Sequence, residues 1–205
     1  MTHFRLAVSA LAMVSATACA SSGFSSSWKS PTAKPLQVNS ETKVAAVVMM
    51  GDEATRQSAE DKLASEISAR GAKGIPMYKL LPEGRVDDEE KAKEILKAAD
   101  VKGVVVIRPT PGKDDKSVDY SQPPYSNYWN SGYYAHGWGQ PWIDPQGVPY
   151  DYVVSVDTLI YSIPQNQLVW AGKSKKVNPA SLNELVSELA SDTAEELKNQ
   201  SLTQK

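Results

Sequence analysis

The segment KVAAVVMM, Lys43–Met50, leaves this chain few folds to choose from. After its opening lysine it has no polar side chain, and so no face to give to water. A strand with one wet face alternates. An unbroken apolar run of this length belongs in a sheet covered on both sides, the usual setting of parallel strands joined by helical crossovers. The residues that follow supply the helices such a sheet needs.

Gly51 ends the run and Asp52 is placed to cap a helix. Residues 54–70 carry Ala59, Leu63 and Ile67 at four-residue spacing, one apolar stripe that Gly71 and Gly74 terminate. Ile75–Leu81 reads as a second strand, with Pro76 marking a strand start or a sheet edge. Asp87 and Glu90 form a capping box for a second helix, whose inner face is Ala92, Ile95, Leu96 and Ala99. The acidic run Asp87–Glu90 suits the positive end of that helix, and no neighbouring histidine or cysteine turns it into a metal site. Gly103 precedes a third, very apolar strand, Val104–Arg108. The order β-α-β-α-β predicts a right-handed parallel arrangement. The first loop, Gly51-Asp52-Glu53, lacks the Gly-x-Gly-x-x-Gly pattern and would repel a pyrophosphate.

The chain then changes character. Between Tyr120 and Tyr152 stand seven tyrosines and three tryptophans, punctuated by prolines and glycines and with no sustained period. This reads as a long aromatic loop, residues 110–151, within one domain. Strand character returns over Tyr152–Ile163, followed by a tight turn at Pro164–Gln167 in which Asn166 suits a left-handed conformation. Leu168–Lys173 forms the return strand, with Leu168 and Trp170 expected on one face. Asn178-Pro179 opens the last helix, whose buried stripe is Leu182, Leu185, Val186, Leu189, Thr193 and Leu197. The fold class is thus α/β with an α+β tendency: a mixed sheet of about five strands with helices packed on it. The domain spans residues 43–200, and residues 201–205 are expected to fray.

The N-terminus reads MTHFRLAVSALAMVSATAC. Arg5 provides a short positive region and Leu6–Ala16 an apolar region of export-signal length, shorter than the ~20 residues that span a bilayer. Ala16-Thr17-Ala18-Cys19 resembles the lipobox of bacterial lipoproteins, good at Ala18 and Cys19 and weaker at Ala16, where leucine is commoner. That resemblance implies a signal peptide over residues 1–18, acylation of Cys19 by palmitate-type chains, and, with Ala20 rather than aspartate next, sorting to the outer membrane. Ordinary secretory cleavage after Ala18 is the alternative. It would leave Cys19 as a free thiol in an oxidising compartment. Six of the ten residues Ser21–Ser30 are serine, and Pro31 and Pro35 follow, so residues 19–42 read as a flexible tether. Trp28 is its one tryptophan, suited to the membrane interface, to packing on the domain or to plain exposure.

Cleavage before Cys19 leaves 187 residues with 21 basic and 24 acidic side chains, a balance that gives nucleic-acid binding no support. One cysteine allows no internal disulfide, so packing must hold the domain. His136 is then the remaining histidine, and no Gly-x-Ser-x-Gly elbow, His-Glu-x-x-His or Cys-x-x-Cys motif accompanies it. A hydrolase acting on a glycan or ester through His136 is one reading of the chain, since triads are geometric rather than local. The aromatic loop supports others. Tyr125, Tyr128, Trp129, Tyr133, Tyr134, His136, Trp138 and Trp142 form a candidate interaction surface for a protein, or for a glycan or lipid, because aromatic rings dominate interface hot spots and stack on sugar rings. A structural reading stands beside this one, in which the rings fold back over the sheet.

Four stretches carry a wider resemblance: ATAC ending at Cys19, ADVKGVVVIRP at 99–109, GYY at 132–134 and VDTLIYSIPQNQLVWAGKSK at 156–175. They resemble a family of small, uncharacterised Gram-negative outer-membrane lipoproteins. The layout over 44–197 is also similar to the N-terminal domain of the periplasmic Tol translocation protein and to the curli-secretion and penicillin-binding-protein-activating lipoproteins. Here the hairpin turn departs from them, with Asn166-Gln167 where glycine is frequent. The resemblance implies a non-enzymatic binding or assembly role in the envelope, without cofactor. The implied partners are the membrane, through the N-terminal lipid, and an envelope protein or peptidoglycan.

Overall fold

The structure is a computed structural model that describes residues 23–49, 53–81, 89–111, 153–177 and 182–202. Six strands form one mixed sheet: β1 (Ser26–Lys29), β2 (Lys43–Val48), β3 (Lys73–Pro76), β4 (Val101–Pro111), β5 (Val153–Ser162) and β6 (Gln167–Val177). Four helices pack against it: α1 (Glu53–Ala69), α2 (Met77–Leu80), α3 (Glu89–Ala98) and α4 (Leu182–Leu202). The spatial order is β1-β6-β5-β4-β2-β3. β2 is parallel to both β3 and β4, whereas the β4–β5, β5–β6 and β1–β6 pairs are antiparallel.

Over its described residues, 43–49, the apolar run behaves as its composition requires. Val44, Ala46 and Val48 point to one face, where they meet Ala59, Leu63, Ala64 and Ile67 of α1 and Leu189, Ala190, Ala194 and Leu197 of α4. Ala45, Val47 and Met49 point to the other, toward Met77 of α2 and Ala92 and Leu96 of α3. Both faces of β2 are buried, and fully burying one aliphatic side chain contributes ~1.5–3 kcal/mol. The expected stripe of α1 is the buried one. Among the stripe residues of α4 whose side chains are described, Leu189, Thr193 and Leu197 are buried.

Three details differ from the sequence reading. The second strand is short: β3 ends at Pro76 and the chain turns straight into α2, so Met77–Leu80 is helical rather than extended. Proline supplies no N–H to continue a ladder, and β3 is a sheet edge, where such an end is tolerated. The stretch 19–42 also contributes a sixth strand. Ser26–Lys29 pairs with β6 from Ser26↔Lys173 to Lys29↔Trp170, and Trp28 packs against the core on the α2/α3 side. Six serines from 21 to 30 would not suggest a strand, yet an edge strand needs few apolar contacts when its backbone has a ready partner.

The third difference is in β6. Leu168 pairs with Tyr161 while Trp170 pairs with Ile160, so one extra residue, Val169, is inserted in the register. This bulge breaks the two-residue alternation. Leu168 joins the α2/α3-side core and Trp170 the α1/α4-side core, so the two do not share a face. Asn166 is left-handed at φ 49°, as its turn position predicts, and Asp100 at φ 59° makes the α3–β4 turn in the same way.

Candidate functional site

From β2 the chain crosses through α1 on one face to reach β3. It then returns past β2 through α2 and α3 on the other face to reach β4. The crossovers leave the C-terminal ends of β2 and β3 on opposite faces. In open α/β sheets this is the crevice end, where ligands and partners are held. The aromatic segment leaves and rejoins the sheet here. Pro111 and Val154 are paired across β4 and β5, so both roots of the aromatic segment stand at this end. Tyr125, Tyr128, Trp129, Tyr133, Tyr134, His136, Trp138 and Trp142 themselves lie outside the described residues, as does Cys19. So do Asp87 and the Asn178-Pro179 cap.

Glu60 is buried beneath this end and is fully inaccessible to solvent. Its position follows from the truncation of β3. Met49 N–H donates to Ile107 O on β4 at 3.0 Å, so the preceding N–H, that of Val48, points to the β3 side. There β3 has already turned into α2, and Glu60 Oε1 accepts the Val48 N–H at 3.4 Å. Oε2 accepts the N–H of Tyr78 at 2.9 Å, and Arg56 Nη1 stands 3.4 Å from Oε1. One carboxyl group thus closes the gap between β2, α2 and α1. Burial pushes its pKa up from 4.5 to about 7, against the opposing effects of the Tyr78 N–H, Arg56 and the Val48 N–H.

A second polar cluster crosses the α2/α3-side face of β4, β5 and β6. Asp157, paired in register with Arg108 and Lys173, accepts from Arg108 Nη2 at 3.0 Å and has Lys173 Nζ at 3.8 Å. Asp157 is 2% exposed and Lys173 8%. One buried carboxylate between two cations makes a charged belt across the sheet, one register step beyond Ile107.

None of these five residues belongs to a catalytic or metal-binding motif, although Arg108, Asp157 and Lys173 fall within the stretches 99–109 and 156–175. The signals were nevertheless present: Glu60 and Arg56 fall on the i, i+4 positions of the α1 inner stripe, and Asp157 interrupts the apolar β5 run. At the opposite end of the sheet a cavity of about 330 Å3 lies between α3 and the β5–β6 turn. Lys93, Lys97 and Lys102 rim it, and Lys102 is held by Asp100. Among the described residues no group of three or more His, Cys, Asp or Glu side chains is placed to hold a metal ion. Among them, too, no helix is long and apolar enough to cross a membrane.

No protein-family model matches this chain, and no curated protein matches it. Among solved structures it is similar to a PelC dodecamer from Paraburkholderia phytofirmans that carries one leucine-to-methionine substitution. The identity is 15%, the TM-score is 0.45, and the match covers 84% of this chain and 97% of that one. A second PelC dodecamer from the same organism has 14% identity and a TM-score of 0.44, covering 84% and 98% of the two chains. The lipoprotein GNA1162 from Neisseria meningitidis has 12% identity and a TM-score of 0.36, covering 78% and 99%.

Proposed function

We propose that this chain is an outer-membrane lipoprotein, anchored through Cys19, with a periplasm-facing domain that binds or supports an envelope assembly without catalysing a reaction. The observation that carries the reading is the Ala-Thr-Ala-Cys sequence at the end of an export-length apolar stretch. Two or three acyl chains hold a protein to a membrane far better than one, at ~0.8 kcal/mol for each buried methylene. Labelling with palmitate in cells tests the anchor. Wild type is expected to carry label and to sediment with outer membranes. Cys19→Ser is expected to carry none and to appear in the soluble envelope fraction. Equal labelling of the two, or none in either, refutes it.

The aromatic segment is proposed as the contact surface. Its roots stand at the crevice end of the sheet, the place where such folds meet ligands. A photo-crosslinking residue at Tyr133 or Trp138 is expected to capture one defined envelope protein or peptidoglycan in cells. If neither position yields a specific adduct, the rings have a structural role instead.

A further inference from the structure

We infer that the domain sits with the C-terminal ends of β2 and β4 toward the bilayer and the β5–β6 hairpin turn away from it. This rests on Cys19 being the acylated residue. The argument is one of reach. Gly23 O accepts a hydrogen bond from Ser174 Oγ at 2.8 Å, and Ser25 N–H donates to Lys173 O at 2.7 Å. From Gly23 onward, therefore, the chain is held against β6. Gly23 stands four positions after Cys19, and a fully extended chain of that length spans at most ~14 Å.

The sheet is long by comparison. From Ser174 back to Gln167 is seven residues of β6, ~23 Å at ~3.3 Å per residue. The hairpin turn at Asn166 therefore lies farther from Gly23 than the anchor can extend. The direction of entry agrees. β1 runs antiparallel to β6, so the residues before it arrive from the end where β6 finishes and where β2 and β4 also finish. The β1 edge itself is a poor alternative for membrane contact. Ser26, Ser27 and Lys29 are its exposed residues, all polar, and Trp28 is turned inward onto the core. The occupant of the crevice end is therefore the lipid surface.

Energy transfer to a labelled bilayer tests the orientation. The full-length lipidated protein would be extracted from membranes and reconstituted into phosphatidylethanolamine–phosphatidylglycerol vesicles that carry a headgroup-linked acceptor dye. Donor dyes would be placed at Lys175→Cys, an exposed position at the crevice end, and at Asn166→Cys, an exposed position at the far turn. Glu53→Cys, exposed at the start of α1, gives a second crevice-end probe should Lys175→Cys fold poorly. Transfer several-fold stronger from 175 or 53 than from 166 is expected. Vesicle-bound protein with equal or reversed transfer overturns the orientation while leaving the anchor intact. Protein that fails to bind vesicles, whether or not Cys19 is replaced by serine, overturns the anchor reading itself.

Discussion

Replacing Glu60 by glutamine should change how stability depends on pH, and in a direction that separates two opposed accounts of this buried carboxyl. Glu60 has no solvent exposure and accepts from two backbone N–H groups, with Arg56 beside it. If burial dominates, its folded pKa of about 7 exceeds the unfolded 4.5. The folded protein then binds more protons than the unfolded chain between those values, and stability falls as pH rises through that window. At 1.36 kcal/mol per unit, the loss from pH 4.5 to pH 7 is about 3 kcal/mol.

Glutamine cannot ionise, so its variant should be flat over this window. The variant is also less stable at pH 4.5, by roughly 1–3 kcal/mol, because its amide N–H2 must face one of three donors where a carboxyl oxygen had accepted. The gap between wild type and Glu60→Gln should therefore narrow as pH rises and nearly close, or reverse, by pH 7.5. Urea unfolding followed by circular dichroism at half-unit pH steps, both proteins carrying Cys19→Ser for solubility, measures the gap. The m-values should agree between the two. A gap that widens with pH would refute the reasoning, because it would mean that Arg56 and the N–H groups, not burial, set the ionisation. Surface carboxylates do not confuse the comparison. Lys79 beside Asp61, Lys62 beside Glu66 and Lys102 beside Asp100 hold those groups below their ordinary values. Their stabilisation is present above the unfolded pKa and is lost as pH falls below about 4, outside the window.

Other substitutions follow from the packing. Asp157→Ala leaves Arg108 and Lys173 without their shared buried carboxylate and should cost about 3–5 kcal/mol in urea unfolding; a loss under 1 kcal/mol would mean solvent screens the belt. Gly172→Ala adds a methyl that overlaps the Trp170 ring and stands 2.8 Å from Phe24 Cδ1, in a T-shaped pair with centroids 4.9 Å apart. It should destabilise by about 1–3 kcal/mol and lower Tm, and an unchanged Tm would show that the ring pair yields freely. Arg70→Ala removes the contact to Glu195 at 3.2 Å that ties the end of α1 to α4, and the local contact to Glu66 at 2.6 Å, but these are partly solvated, so the loss should stay within about 1 kcal/mol by thermal unfolding.

The layers and most elements of this fold were legible in the sequence because hydrophobic period reports burial directly. KVAAVVMM requires two covered faces and its residues Val44–Met49 have them, and Ala59, Leu63 and Ile67 mark the side of α1 that lies on the sheet. What escaped the sequence depends on pairing rather than on period. The strand at Ser26–Lys29 has little apolar content of its own and exists because β6 offers it an edge. The bulge at Val169 is a register event, invisible to a count of alternation. Ile75–Leu81 has enough apolar residues for a strand, but Pro76 ends the ladder and the chain coils at once. The polar groups at the crevice end were missed for a related reason. Glu60 and Asp157 owe their roles to N–H groups and cations brought from other elements, and no local spacing encodes that.

The two outermost strands of the sheet, β1 and β3, are each four residues long, whereas β4, β5 and β6 in the interior have ten or eleven. β3 finishes in a proline, and β1 carries serines and a lysine. A bare edge is a template on which another chain can add a strand, and the hazard grows with local concentration. Proteins gathered on a membrane surface meet one another far more often than the same number dispersed in solution. With brief, polar or proline-ended borders, this sheet offers its neighbours little to extend, and copies crowded side by side can remain separate folded units rather than seeds of a continuous aggregate.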